Sequence, residues 1–210
     1  MEKKIKTITN SLKDINSDSD DFYKNYWTEE NKIKPFHFKK NEKLLNHFFE
    51  DKIVNKKILE IGVGGEGGII ISLRDNNEVT GVDVSDSAIK NCRKFGLNIE
   101  KYNLDTDNLE FDDCVFDIVF AFEVFEHFSN PQHAIEEIYR VLKPNGLLLI
   151  GIPTTLTYHW PRLFYPSLFE KENFKDFLLI NGFCLNDSID LKLMPNKEFY
   201  LEMRKKYKGG

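Results

Sequence analysis

Cysteine is scarce in this 210-residue chain: three residues, Cys92, Cys114 and Cys184, lie far apart and share no metal-ligand spacing. An odd, scattered set argues against a disulfide framework and predicts reduced thiols in a cytoplasmic compartment. Long apolar runs are missing too. No stretch approaches the ~20 residues that a membrane-spanning helix needs, and the lysine-bearing start of the chain has no apolar signal-peptide segment. Positive charge is not in surplus. The formal net charge is −5, so no basic field recruits nucleic acid, and the run Arg204-Lys205-Lys206-Tyr207-Lys208 reads as a solvated chain end. No Asp, Glu and His set shows magnesium spacing, so no metal is expected. Repeats and low-complexity tracts are absent. A 41% hydrophobic and 30% charged composition suits a soluble globular protein with one domain large enough to build its own core.

What is present is an alternation of strand-like and helix-like segments. Residues 1–35 are polar, centred on Asn16-Ser17-Asp18-Ser19-Asp20-Asp21, and read as a mobile N-terminal segment. Its aromatics Phe22, Tyr23, Tyr26 and Trp27 either dock it on the core or make it a lid. Residues 36–210 form the folded domain. A helix is expected over 41–50, then a strand at 57–61, a helix at 67–74, and a strand at 79–83. Ser85 caps a helix running to 94. Strands follow at 97–102 and 116–122, then a helix opened by Pro131 that stops at Lys143-Pro144-Asn145-Gly146. A fifth strand at 147–152, a helix around Phe174–Ile180 and two weaker strands, 183–191 and 198–203, complete the chain. Such alternation means a parallel sheet with helices on both faces.

One local run carries chemistry. Lys57-Ile58-Leu59-Glu60-Ile61 breaks into the turn Gly62-Val63-Gly64-Gly65-Glu66-Gly67-Gly68, and about twenty residues on Val79-Thr80-Gly81-Val82 ends in Asp83. A strand, a tight turn, a helix and a second strand tipped by a carboxylate make a nucleoside-binding half-site. The turn lets backbone approach a ligand closely, and Asp83 can accept both hydrogen bonds of a ribose diol.

Five motifs in order extend that half-site: Glu60-Ile-Gly62-Val-Gly64, Gly81-Val-Asp83-Val-Ser85, Asn103-Leu-Asp105-Thr106, Phe116-Asp117-Ile-Val-Phe-Ala121-Phe122-Glu123-Val-Phe-Glu126-His127, and Leu142-Lys-Pro144-Asn145-Gly146. Over roughly residues 41–183 the chain resembles the class I S-adenosylmethionine-dependent methyltransferases, in particular the small, single-domain branch acting on metabolites, sugars, quinones and natural products. The resemblance implies a three-layer α/β/α sandwich on a Rossmann-like, mostly parallel seven-stranded sheet of order 3-2-1-4-5-7-6, with the last strand antiparallel. It implies S-adenosylmethionine as cofactor and S-adenosylhomocysteine as product. The cofactor site would comprise Glu60, Gly62, Gly64, Asp83, Val84, Asp105, Thr106 and Phe122. In that set Asp83 holds the ribose hydroxyls, Asp105 meets the adenine amine, and Glu60 orients the turn and the cofactor's ammonium. One departure stands out: the usual third glycine falls at Glu66. A carboxylate there suits a cationic methionine moiety better than a pyrophosphate.

Methyl transfer to a hydroxyl needs alignment and a base. The candidate bases are His127, His159 and Glu123; the alternative for each histidine is a packing role, and for Glu123 a pocket wall. Tyr158, Trp160 and Arg162 in the loop after the fifth strand, with Tyr26 of the N-terminal segment, are candidate acceptor contacts. The expected acceptor is a small molecule, preferably a hydroxyl of a sugar or sugar-like metabolite, and the expected state is a monomer or homodimer. The rivals are an N-methyltransferase, a non-catalytic cofactor-binding partner, a nicotinamide oxidoreductase and an aminopropyl transferase.

Overall fold

The computed structural model describes residues 35–153, 165, 167–192 and 197–206. In chain order the elements are α1 (Pro35–Phe48), β1 (Lys57–Ile61), β2 (Glu78–Asp83), α2 (Asp86–Lys94), β3 (Asn98–Lys101), β4 (Phe116–Phe122), α3 (Pro131–Val141), β5 (Leu142–Pro153), α4 (Lys171–Ile180), β6 (Phe183–Lys192) and β7 (Lys197–Lys205). The seven strands form one sheet in the order β3-β2-β1-β4-β5-β7-β6. Pairing is parallel from β3 through β5, and β7 runs antiparallel to both β5 and β6. The expected order and the single reversed strand are both present.

Alternation along the central strands sends side chains to two helical layers. Ile58 of β1, Ile118 and Phe120 of β4 and Leu149 of β5 meet Leu45 and Phe48 of α1 and Ile89 and Cys92 of α2. Leu59, Val119, Leu148 and Ile150 face the other way, onto Ile135 and Ile138 of α3 and Phe174 and Leu178 of α4. Strands covered on both faces read as continuous apolar runs, which is why β4 and β5 stood out in the sequence.

Four local expectations change. The first helix begins at Pro35 rather than Asn41, with proline at its opening position, where its missing N–H costs nothing. The helix expected over 67–74 is a run of turns holding one short 3-10 helix, Ile70–Ser72. Gly67 and Gly68 take φ of +86° and +53° there, which an α-helix cannot use. The fifth strand starts at Leu142, and Pro144-Asn145-Gly146 forms an irregularity within it, where the register slips between Phe116 and Ile118. Asn145 has φ +61° at that point. Finally, the basic run at 204–208 is not simply solvated. Lys205 is buried, and its Nζ donates to the carbonyls of Tyr139 and Leu142, each at 2.7 Å. Those carbonyls lie at the C-terminus of α3, where a cation completes unsatisfied acceptors.

Candidate active site

β1 and β4 are neighbours in the sheet although β2 and β3 lie between them in sequence, so the chain reverses its direction of travel across the sheet at that point. In open parallel sheets the ligand crevice lies there, beyond the carboxyl ends of the strands. A cleft occupies this position, lined by Ile61, Gly62 and Gly64 after β1, Val82 to Val84 at the tip of β2, Tyr102 to Asp105 after β3, and Glu123, Val124, His127 and Phe128 after β4.

The glycine turn is built around two acids. Glu60 is 3% exposed. Its carboxylate accepts from the Ile69 N–H at 3.0 Å and from the Ile70 N–H at 3.1 Å, the donors left open where the short 3-10 helix begins. Burial pushes the Glu60 carboxyl up to about 8 against the pull of those donors. A Cβ at Gly68 would collide with the same carboxylate, so glycine there is what lets the acid reach its donors. At Gly62, φ is +69° and a Cβ would stand 2.5 Å from Val124 Cγ2. The turn therefore needs glycine twice over, for its backbone conformation and for the close passage of the segment after β4. The left-handed positions fall on Gly62, Gly64, Gly67 and Gly68, and Glu66 is not among them. That is why a carboxylate is tolerated at the usual third glycine.

Asp83 closes the other side. Its Oδ2 accepts from the Gly64 N–H and its Oδ1 from the Ser85 N–H, both at 2.8 Å. Burial raises its pKa, opposed by those backbone donors. Ser85 also caps α2, accepting from the Ala88 N–H at 3.3 Å. The acid is thus fixed between the glycine turn and the start of α2 and lines the cleft, where a vicinal diol could meet it.

Asp105 lines the cleft, and its carboxylate carries more bonds than the sequence could show. Oδ2 accepts from the backbone N–H and the hydroxyl of Ser129, both at 3.1 Å, and Oδ1 accepts from the Asn130 N–H at 2.9 Å. Thr106 stands at the exposed outer end of this loop, bonded to Asp107. Phe122 does not line the cleft. It turns toward α1 and packs edge-on against Tyr200 at 5.3 Å.

At the far end Glu123 takes φ +52°, a conformation uncommon outside glycine and one that marks functional turns. Its carboxylate is ion-paired with Lys40 of α1. Lys40 was not singled out from sequence, because a lysine in an amphipathic helix reads as a solvated face; only the packing of α1 beside β4 brings it here. The same helix sends the Asn41 amide to the Gly68 carbonyl at 3.0 Å. His127 ends the 3-10 helix Phe125–His127, with Nε2 at 3.7 Å from Glu126 Oε1 and a side chain only 12% exposed. So Gly62, Gly64, Asp83, Val84, Asp105, Glu123 and His127 come together in one cleft, with Glu60 beneath its turn. His159, Tyr158, Trp160, Arg162 and Tyr26 lie outside the described residues.

The lining fits a nucleoside bearing positive charge. Among the described lining residues are three carboxylates and no lysine or arginine, a poor cradle for a pyrophosphate and a good one for a sulfonium.

Comparison with known proteins agrees. Residues 59–150 match the family described as "Methyltransferase domain". The chain is 31% identical over 143 residues to a ubiquinone biosynthesis O-methyltransferase of Maricaulis maris, covering 59% of this chain and 55% of that protein. It is 30% identical over 102 residues to the 27-O-demethylrifamycin SV methyltransferase of Amycolatopsis mediterranei, covering 45% of this chain and 38% of the relative. The chain spans about half the length, or less, of these curated relatives. Among solved structures, a SAM-dependent methyltransferase from Aquifex aeolicus superposes with a TM-score of 0.67 at 19% identity, covering 90% of this chain and 99% of that one. The motif order, the sheet order, the acid-tipped β2 beside the glycine turn and these matches point one way: residues 59–150 match a methyltransferase domain family, and the chain shares the fold of solved S-adenosylmethionine-dependent methyltransferases.

Proposed function

We propose that this protein transfers a methyl group from S-adenosylmethionine to a hydroxyl of a small molecule. The observation that carries the reading is the pairing of Asp83 with the Gly62–Gly64 turn across a cleft whose described lining is acidic. The cofactor, when bound, supplies a methyl group already activated by its sulfonium. The chain's own task is to hold and align. Asp83 grips the ribose, Gly62 and Gly64 admit the ligand against bare backbone, and Tyr102, Leu104 and Phe128 supply apolar walls for the base.

His127 is the group in the cleft suited to take the acceptor's proton on a ring nitrogen, since its ordinary pKa lies near neutrality. Glu123, engaged by Lys40, serves as a wall of the acceptor side. One curated relative described above is named an O-methyltransferase and the other a methyltransferase of a 27-O-demethyl compound, which favours oxygen over nitrogen and leaves the acceptor scaffold open. Neither name supports the sugar-type acceptor expected from sequence.

Calorimetric titration with S-adenosylhomocysteine, with NAD(H) in parallel, tests the cofactor. Binding of the first alone is expected, and binding of NAD(H) alone would overturn the reading. A screen of phenolic, sugar and amine acceptors with methyl-labelled cofactor then tests the reaction. Label in an ether product is expected. Label only in amines would favour N-methylation, and binding without turnover on any acceptor would favour a non-catalytic partner.

A further inference from the structure

Ser129, two residues past His127, is held by two segments far apart in sequence. Its N–H and hydroxyl donate to Asp105 Oδ2, and its carbonyl accepts from the Tyr165 hydroxyl at 2.6 Å. Asp105 belongs to the loop after β3, on the cofactor side. Tyr165 belongs to the connection after β5. Each grip is itself anchored. The Asp105 N–H donates to Asn103 Oδ1 at 3.1 Å. Tyr165 is 7% exposed, and its carbonyl accepts from the Leu168 N–H at 2.9 Å. Phe169 follows at once and packs on Phe174 of α4, which packs on Phe125 beside the cleft, at 5.4 and 5.8 Å between ring centres. A tyrosine buried only for its ring would not need the hydroxyl. Here the hydroxyl donates to the Ser129 carbonyl, while Asp105 takes the N–H and hydroxyl of the same residue.

We propose that Tyr165 is a positioning residue of this site: through Ser129 it ties the connection after β5 to the Asp105 loop, so that cofactor occupancy stiffens residues 167–174. The proposal rests on the reading of the cleft as the S-adenosylmethionine site. It gives the Asp105 carboxylate a positioning task that the sequence motif did not suggest. Linked hydrogen bonds between two packed segments supply the physical path such coupling needs.

Hydrogen–deuterium exchange on the whole protein, with and without saturating S-adenosylhomocysteine, tests it. In the unaltered protein the ligand should slow exchange at 167–174 by about fivefold or more, the lower end of coupling between sites. In Tyr165→Phe the ring packing remains, and protection should contract to the cleft loops while calorimetric affinity changes little. Tyr139→Phe, which removes a hydroxyl bonded to the Lys206 carbonyl, should behave like the unaltered protein. Asp105→Asn attacks the same junction from the other side; compared at a ligand concentration that calorimetry shows to saturate it, it should lose the same remote protection, so the test survives if Tyr165→Phe folds poorly. Equal protection of 167–174 in both junction variants, or none in the unaltered protein despite ligand binding, overturns the proposal. Absence of ligand binding instead overturns the cofactor reading on which it stands.

Discussion

At the scale of single residues, Asp83, half-buried, and Glu60, buried, are acids at the same turn, yet they fail differently when removed. Asp83 faces the cleft, and charge-assisted hydrogen bonds of its kind contribute about 1.5–3 kcal/mol. Asp83→Ala should therefore weaken S-adenosylhomocysteine binding by about 10- to 100-fold in calorimetry. Unchanged affinity would remove the ribose assignment. Glu60 faces the protein, and its carboxyl is raised from an ordinary 4.5 to about 8 by burial. A raised acid holds a proton in the folded state that the unfolded chain has already lost. Its contribution to stability is full below pH 4.5, declines as pH rises, and is gone above about 8. The melting temperature should fall across that window in the unaltered protein and fall less steeply in Glu60→Gln, as read by thermal unfolding at stepped pH. Parallel curves would show that another group drives the decline.

At the scale of elements, α1 and the glycine turn depend on each other. Leu44 of α1 is fully buried against Tyr200 of β7, while Asn41 and Lys40 reach the turn and the tip of β4. Leu44→Ala should cost about 2–5 kcal/mol, the range for emptying a buried leucine site, and because α1 carries Lys40 it should also disturb Glu123. Thermal unfolding and ligand titration read both effects. The turn itself is intolerant of side chains. Gly62→Ala forces φ +69° on alanine and drives its Cβ into Val124. It should destabilise by about 1–3 kcal/mol and abolish tight ligand binding together. The stretch expected as a helix after β1 shows the same logic. Two left-handed glycines, Gly67 and Gly68, and two backbone donors turned to Glu60 replace most of a helical turn.

Across the whole molecule, the cleft draws on the segments after β1, β2, β3 and β4, so a ligand bound there holds half the sheet together. Ligand that binds only the folded state stabilises it by mass action. At a hundredfold excess over its dissociation constant, S-adenosylhomocysteine should add about 2.7 kcal/mol, a rise of several degrees for a chain of this size. NAD(H) should add nothing. Differential scanning fluorimetry with both ligands reads the contrast directly, and equal shifts would contradict the cofactor assignment.

The residues by themselves determined the layered fold and the nucleoside half-site, because both depend on local chemistry. Strands buried on two faces must be apolar throughout, left-handed turns select glycine, and an acid at a strand tip is visible as a single letter. The strand order was not read from local chemistry; it came only as what the family resemblance of the five motifs implies. Contacts between residues far apart in sequence leave no periodic or compositional trace, and only the tertiary structure decided them. Lys40 meets Glu123 across 83 positions, Asp105 grips Ser129 across 24, Tyr165 reaches the same serine across 36, and Lys205 leaves an apparently basic tail to cap α3 from 63 residues away. Each is a polar group whose partner is set by how the sheet orders its strands, and that order exists only once the chain has folded.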